Sequence, residues 1–340
     1  MPSLSKGGGF RDRQVFAQLQ EYITQVVCTD QGGAASSAAG EVICWRGSEL
    51  HLLQSITEQP VDCLAFSADG QYLAAGCQDG RVRVWHDLDL VITIEADQWI
   101  EHLSWHSSRP ELAFSSGHYV QVWDVAQDQV ITTLDFVESS VLDLAWHPVG
   151  DRLAIAGYQG VKIWQDWDDD PHVLALPTST QAIAWSPDGK YLALGNFDNT
   201  LVVMEWGNPD PWIMRGFPGK VRALTWSQII KPATAPLIGC ASAEGVVIWA
   251  KDKDGGWAGH LLEGHIEKVN AIAFQPASLR LASASDDGQI CLWQKAKKLE
   301  QILPASPEAV TSLAWHKDYL LAGTSGGEVI KWSKSTQGFG

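Results

Sequence analysis

Along most of the chain, apolar and polar positions alternate in runs of five or six residues, broken by turns rich in Gly, Asp, Asn and Ser. Alternation of this kind predicts half-buried β-strands, because a helix would repeat its apolar positions every three or four residues. The runs are themselves periodic. Residues 61–85 read VDCLAFSADGQYLAAGCQDGRVRVW, and residues 269–293 read VNAIAFQPASLRLASASDDGQICLW. Each copy has an apolar strand, a polar turn, a strand of small residues, an Asp-Gly turn, and a strand ending in tryptophan. Self-similarity at about 40 residues is the mark of a repeat architecture.

The last residues of the third strands are Trp45, Trp85, Trp123, Trp164, Met204, Trp249, Trp293 and Trp332, spaced 38 to 45 residues apart. That makes eight copies. The first has a soft middle (QGGAASSAAG). Laid without a gap on residues 310–332, however, residues 23–45 put Gly40-Glu41-Val42-Ile43 on Gly327-Glu328-Val329-Ile330. A fourth strand follows each tryptophan except the last, after which only SKSTQGFG remains. At the other end, residues 13–19 (RQVFAQL) alternate like a strand and belong to no copy. Ring closure resolves both ends: the N-terminal segment supplies the outer strand of the last unit and removes an aggregation-prone edge. The expected fold is all-β, an eight-bladed β-propeller over residues 13–333 as one domain, with tails at 1–12 and 334–340. The alternative is seven blades, which leaves one unit outside the ring.

On these residues the chain resembles the WD40 family, over nearly its whole length. At the end of a third strand the Trp-Asp pair of that family stands once, at Trp123-Asp124. Seven blades is the family's commonest ring, so the count of eight departs from it. The resemblance also implies a structural tetrad of His, Ser or Thr, Asp and Trp. Only the seventh copy carries it in full, as His265, Ser283 (or Ser285), Asp287 and Trp293. Asp79 and Asp198 keep the acid in the second and fifth copies, but no Gly-His precedes those copies. Where the tetrad is missing, apolar packing is expected to hold the blades.

Composition narrows the function. With 24 basic against 40 acidic residues the net charge is −16, and no basic tract exceeds Lys295, Lys297 and Lys298. Nucleic acid and anionic membranes are therefore unexpected partners. Six scattered cysteines form no CxxC pair, which points to reduced thiols and a cytoplasmic protein. No nucleotide or zinc motif is present. Gly323-Thr324-Ser325-Gly326-Gly327 matches GxSxG but lies in a strand-to-strand turn, where a nucleophile elbow needs a strand-to-helix turn. His106, His147 and His316 each follow the tryptophan of a first strand, and blades on opposite sides of a ring cannot bring them to one metal. The expectation is no cofactor, no metal site and no catalysis.

Two surfaces are candidates for protein partners. Segments just before the first strands carry Glu21, Glu58, Asp97, Glu138, Glu267 and Glu308, with Trp99 beside Asp97. A propeller places these around one mouth of the channel, where the acid would suit basic peptides or loops. On the opposite face, longer connections carry Trp167, Asp168, Asp169 and Asp170, then Trp206 and Trp212, then Trp257. Rigid loop aromatics are frequent interface anchors. The function expected is a non-catalytic scaffold or adaptor for partner proteins. A propeller enzyme (hydrolase or lyase) with a site at the channel mouth, and a purely structural subunit of a stable complex, are the alternatives.

Overall fold

The computed structural model describes residues 9–228, 235–317 and 319–334. Among these, 32 strands form eight four-stranded antiparallel sheets. Blade 1 spans 23–54, blade 2 61–95, blade 3 103–135, blade 4 143–175, blade 5 180–214, blade 6 221–262 and blade 7 269–304. Blade 8 combines 310–334 with the N-terminal strand Phe10–Gln18. First strands of successive blades touch one another around the whole ring, blade 8 back to blade 1. The eight-bladed count holds, and the seven-bladed alternative does not.

Closure is antiparallel, with Arg13 opposite Trp332 and Gln18 opposite Glu328. The closing strand begins at Phe10, not at residue 13, and the last strand runs to Lys334, so both expected tails give up residues to the ring. The reason is burial. Phe10 is 2% exposed and meets Trp315 edge-on at 5.5 Å. The Gln301 side chain brackets the Phe10 backbone, accepting its N–H (3.1 Å) and donating to its carbonyl (2.7 Å). Charged Arg11 and Asp12 mask this strand start in the sequence.

The small-residue second strands have a steric cause. Each lies against the first strand of the following blade, and the two are matched in size. Ala34, Ala74, Ala113, Ala154, Ala193 and Ala282 share hydrophobic clusters with Phe66, Trp105, Trp146, Trp185, Trp226 and Trp315 of the next blade. Gly239 faces Phe274 in the same way. At the closing seam the sizes reverse: Leu321 of blade 8 packs with Cys28 of blade 1. Two residues further on, Gly195 and Gly323 let Val221 and Ile23 approach so closely that a Cβ would collide with them.

Four of the first-strand tryptophans also tie blades together. The indole N–H of Trp105 donates to the Ala65 carbonyl (3.0 Å), Trp185 to Ala145 (3.2 Å), Trp226 to Ala184 (2.9 Å) and Trp315 to Ala273 (2.9 Å). Each acceptor is the central residue of the preceding blade's apolar-X-aromatic triplet. Burying one such ring removes about 150–250 Å² from water, worth roughly 4–6 kcal/mol gross by area.

All six cysteines are free. Burial pushes the thiols of Cys77 up to about 11 and of Cys28 and Cys291 to about 12, and raises Cys240 further. An unfolded chain releases these protons near pH 8.5. Their contribution to stability is therefore complete below that pH and lost as pH rises through the folded values. Chemical denaturation should show stability falling steadily between about pH 9 and 11. Cys240→Ala should fall less steeply; identical slopes for variant and wild type would contradict this.

Candidate protein-interaction face

The chain enters its first and third strands on one side of the ring, here the upper face, and leaves them on the lower face. Hydrogen-bond networks within blades set how rigidly these loops are held. In blade 7 the Trp293 indole N–H donates to Ser283 Oγ (2.9 Å), Ser283 lies 2.8 Å from His265 Nε2, and His265 Nδ1 lies 3.0 Å from Asp287. With Nδ1 protonated, the serine hydroxyl donates to Nε2 and every group is satisfied. Blades 2 and 5 replace the missing histidine. In blade 2 the Arg83 guanidinium donates to Asp79 (2.7 Å) and to Cys77 Sγ (3.1 Å). In blade 5, Thr180 donates to Asn196, whose amide donates to Thr200, whose hydroxyl donates to Asp198. Elsewhere the loss is felt: the buried indole nitrogens of Trp123, Trp249 and Trp332 have no partner among the described residues.

The WD40 family profile (WD domain, G-beta repeat) matches residues 48–86, 176–203 and 257–294. The chain is a WD40-repeat β-propeller. No curated protein sequence matches this WD40 propeller. Among solved structures, the crystal structure of the computationally designed protein Ika8 aligns with a TM-score of 0.79 at 21% identity, covering 93% of this chain and 97% of that one. The C-terminal WD40 domain of Sif2 aligns with a TM-score of 0.79 at 16% identity, covering 96% and 100%. At these identities the likeness concerns the fold.

The acidic residues Glu21, Glu58, Asp97, Glu138, Glu267 and Glu308 are all exposed on the upper face of this WD40 ring. Lys162 pairs with Glu138 at 2.8 Å and holds its carboxyl below the ordinary range. The upper face carries a second property that chain position does not disclose. Every well-exposed aromatic among the described residues lies there: Tyr22, Trp99, Tyr119, Tyr158 and Phe197, with Trp99 58% exposed. Exposed Ile56, Val137 and Ile266 join them. The other exposed large apolar residues lie on outermost strands, except Val149 on the lower face.

The lower-face tryptophans are differently placed. Trp167, Trp206, Trp212 and Trp257 are all half-buried. Trp167 packs edge-on against Trp146, while Trp206 lies tilted against Trp185 and under the Arg152 guanidinium (4.2 Å). Trp212 and Trp257 gather around Tyr191 and Trp226. The ammonium of Lys251 caps that group, 4.4 Å from the Trp212 ring and hydrogen-bonded to the Tyr191 hydroxyl. These rings therefore spend much of their surface inside the molecule. The flanking Asp168, Asp169 and Asp170 remain exposed.

The channel wall brings His102 Nδ1 within 3.6 Å of Asp143, whose carboxyl is raised above its ordinary range by burial. Asp143 is used structurally: its oxygens accept the backbone N–H groups of Leu144 (2.8 Å) and of Ile183 in the next blade (2.7 Å). Gln25 and Ser312 make equivalent stitches to Leu64 and Val26. On the lower face His147 reaches the Gly189 carbonyl of blade 5 and His106 reaches Asp151 of blade 4, so two of the three post-tryptophan histidines clasp the following blade. No group of three or more His, Cys, Asp or Glu among the described residues is arranged to hold a metal ion.

Proposed function

We propose that this WD40 propeller is a non-catalytic scaffold that binds partner proteins on its upper face. WD40 propellers commonly mediate protein interactions and are generally non-enzymatic. The observation that carries the reading is the segregation of exposed aromatics: five on one face, with the lower-face tryptophans turned inward. Aromatic side chains supply much of the energy of protein interfaces at little cost in ordering. A ring whose blades are stitched at every level pre-organises those loops and reduces the entropy lost on binding. The acidic upper face favours basic peptides or loops, and the −16 net charge weighs against nucleic acid and anionic membrane as ligands. The free thiols agree with a cytoplasmic location.

The test is affinity purification from the native cell. Trp99→Ala, Tyr158→Ala and Phe197→Ala combined should lose the proteins that accompany the wild type, since anchor truncations typically cost about 2 kcal/mol or more each. Its melting temperature should stay within a few degrees of the wild type, because none of the three is a core residue and Phe197 gives up only its contact with the Lys220 ammonium (4.1 Å). Full retention of the same proteins would overturn the reading.

A further inference from the structure

One part of the upper face is more specific than the rest, and its assignment rests on the reading above. We propose that a groove over blades 3 and 4 holds an extended segment of a partner protein. A Lys or Arg of that segment would lie against Asp97 and Glu95, and an aliphatic or aromatic residue would lie on a shelf of Val137, Tyr158 and Phe197. The groove is a cavity of about 800 Å³ between residues 95–98 and 137–140, floored by the turn at 116–119. Ser139 and Ser140 line both this cavity and a second hollow of about 430 Å³ bounded by Leu142, Tyr158 and Phe197, so the two adjoin across these serines.

The two ends differ in chemistry. At one, Asp97 is exposed and makes no hydrogen bond or ion pair among the described residues. Glu95 is open to solvent and shared only with exposed Arg81 (3.3 Å), and Asp135 stands 4.0 Å from His118. This end presents carboxylates with little internal neutralisation, which selects a cation. At the other end, Val137 is 70% exposed at a φ of +66°. The Glu138 N–H donates to the Phe136 carbonyl (2.8 Å), closing a three-residue turn with Val137 at its tip. A β-branched residue is disfavoured there. Lys162 pins the turn by donating to the Phe136 carbonyl (2.9 Å) and to Glu138 (2.8 Å). The fold thus holds an apolar side chain outward, at the lip of the groove, in a conformation that brings it no packing of its own. Between the ends, serine and glutamine side chains offer hydrogen bonds suited to an extended backbone.

Phage-displayed random 12-residue peptides panned on the full chain provide the test. Enriched peptides, synthesised and titrated, should carry a basic residue together with an apolar one. Asp97→Lys should weaken them at least tenfold, and Val137→Asn, which accepts the left-handed backbone, at least fivefold. Asp254→Lys on the lower face should leave affinity within twofold, and all three variants should melt with the wild type. Failure to enrich any peptide overturns the groove. Peptides indifferent to both groove variants also overturn it. If those peptides are lost on Tyr22→Ala or Trp99→Ala, the upper-face reading survives without the groove; if no upper-face variant affects them, both fall.

Discussion

A chain beginning at Leu19 should lose its single cooperative unfolding transition and aggregate near room temperature. Without Phe10–Gln18, blade 8 keeps three strands and the edge of Glu328–Lys334 is left unpaired. Phe10 would no longer fill the cluster between blades 7 and 8, and Phe16 would leave the Trp45 ring it meets at 5.1 Å. Arg13 would release the Ala305 carbonyl that it grips with two nitrogens. Truncating one buried phenylalanine costs about 3–5 kcal/mol, against a total stability of roughly 5–15 kcal/mol for ordinary proteins. Losing the whole strand therefore exceeds what the ring can spare. Thermal melts followed by circular dichroism measure this, and a synthetic peptide of residues 9–19 added in trans should restore a cooperative melt. A truncated chain melting within a few degrees of the wild type would show that the ring does not depend on this closure.

The second large effect concerns the reversed size pair at the closing seam. Cys28→Trp alone should destabilise the protein by about 1–3 kcal/mol or more, because Leu321 and the Lys331 stem occupy the space that an alanine and a valine leave at the seam between blades 2 and 3. Adding Leu321→Ala rebuilds the pairing used at six other seams, and puts an indole within reach of the Ala314 carbonyl, the counterpart of Ala65, Ala145, Ala184 and Ala273. The double variant should recover most of the loss, with a coupling of roughly 1–3 kcal/mol. Denaturant titration of the four species of the cycle measures it. Simple additivity would mean that the seam is not governed by size matching. If it is governed so, Leu321 does more than fill space: placed against Phe66 it would clash, and Cys28 against Ala282 would leave a void, so both seven-bladed closures are penalised.

Period and tryptophan spacing made the blades legible, and the unpaired alternation of residues 13–19 made closure legible as well. The position of Phe10 was hidden because its burial depends on Trp315 and Gln301, nearly 300 residues away. The inward packing of Trp212 and Trp257 was hidden for a related reason: Tyr191, Trp226 and Lys251 come together through strands of two different blades. Histidine surrogates such as Arg83 use residue types that no motif marks. The turn at Val137 puts a β-branched residue at its tip, and only Asp135, whose carboxylate accepts the Val137 N–H (2.8 Å), hints at it in the sequence. One missed feature did have a signal. Aligning the eight copies leaves Leu321 as the one large residue in a column of alanine and glycine, and Cys28 as the one non-aromatic residue in the partner column.

Hydrogen–deuterium exchange on a complex with any partner recovered by affinity purification tests the location of the site most directly. Protection is predicted at residues 96–99, 117–119, 137–140, 158 and 197, with 166–170, 206–212 and 252–257 unchanged. Protection of those lower-face segments, with the upper-face loops exchanging as in the free protein, would contradict the account.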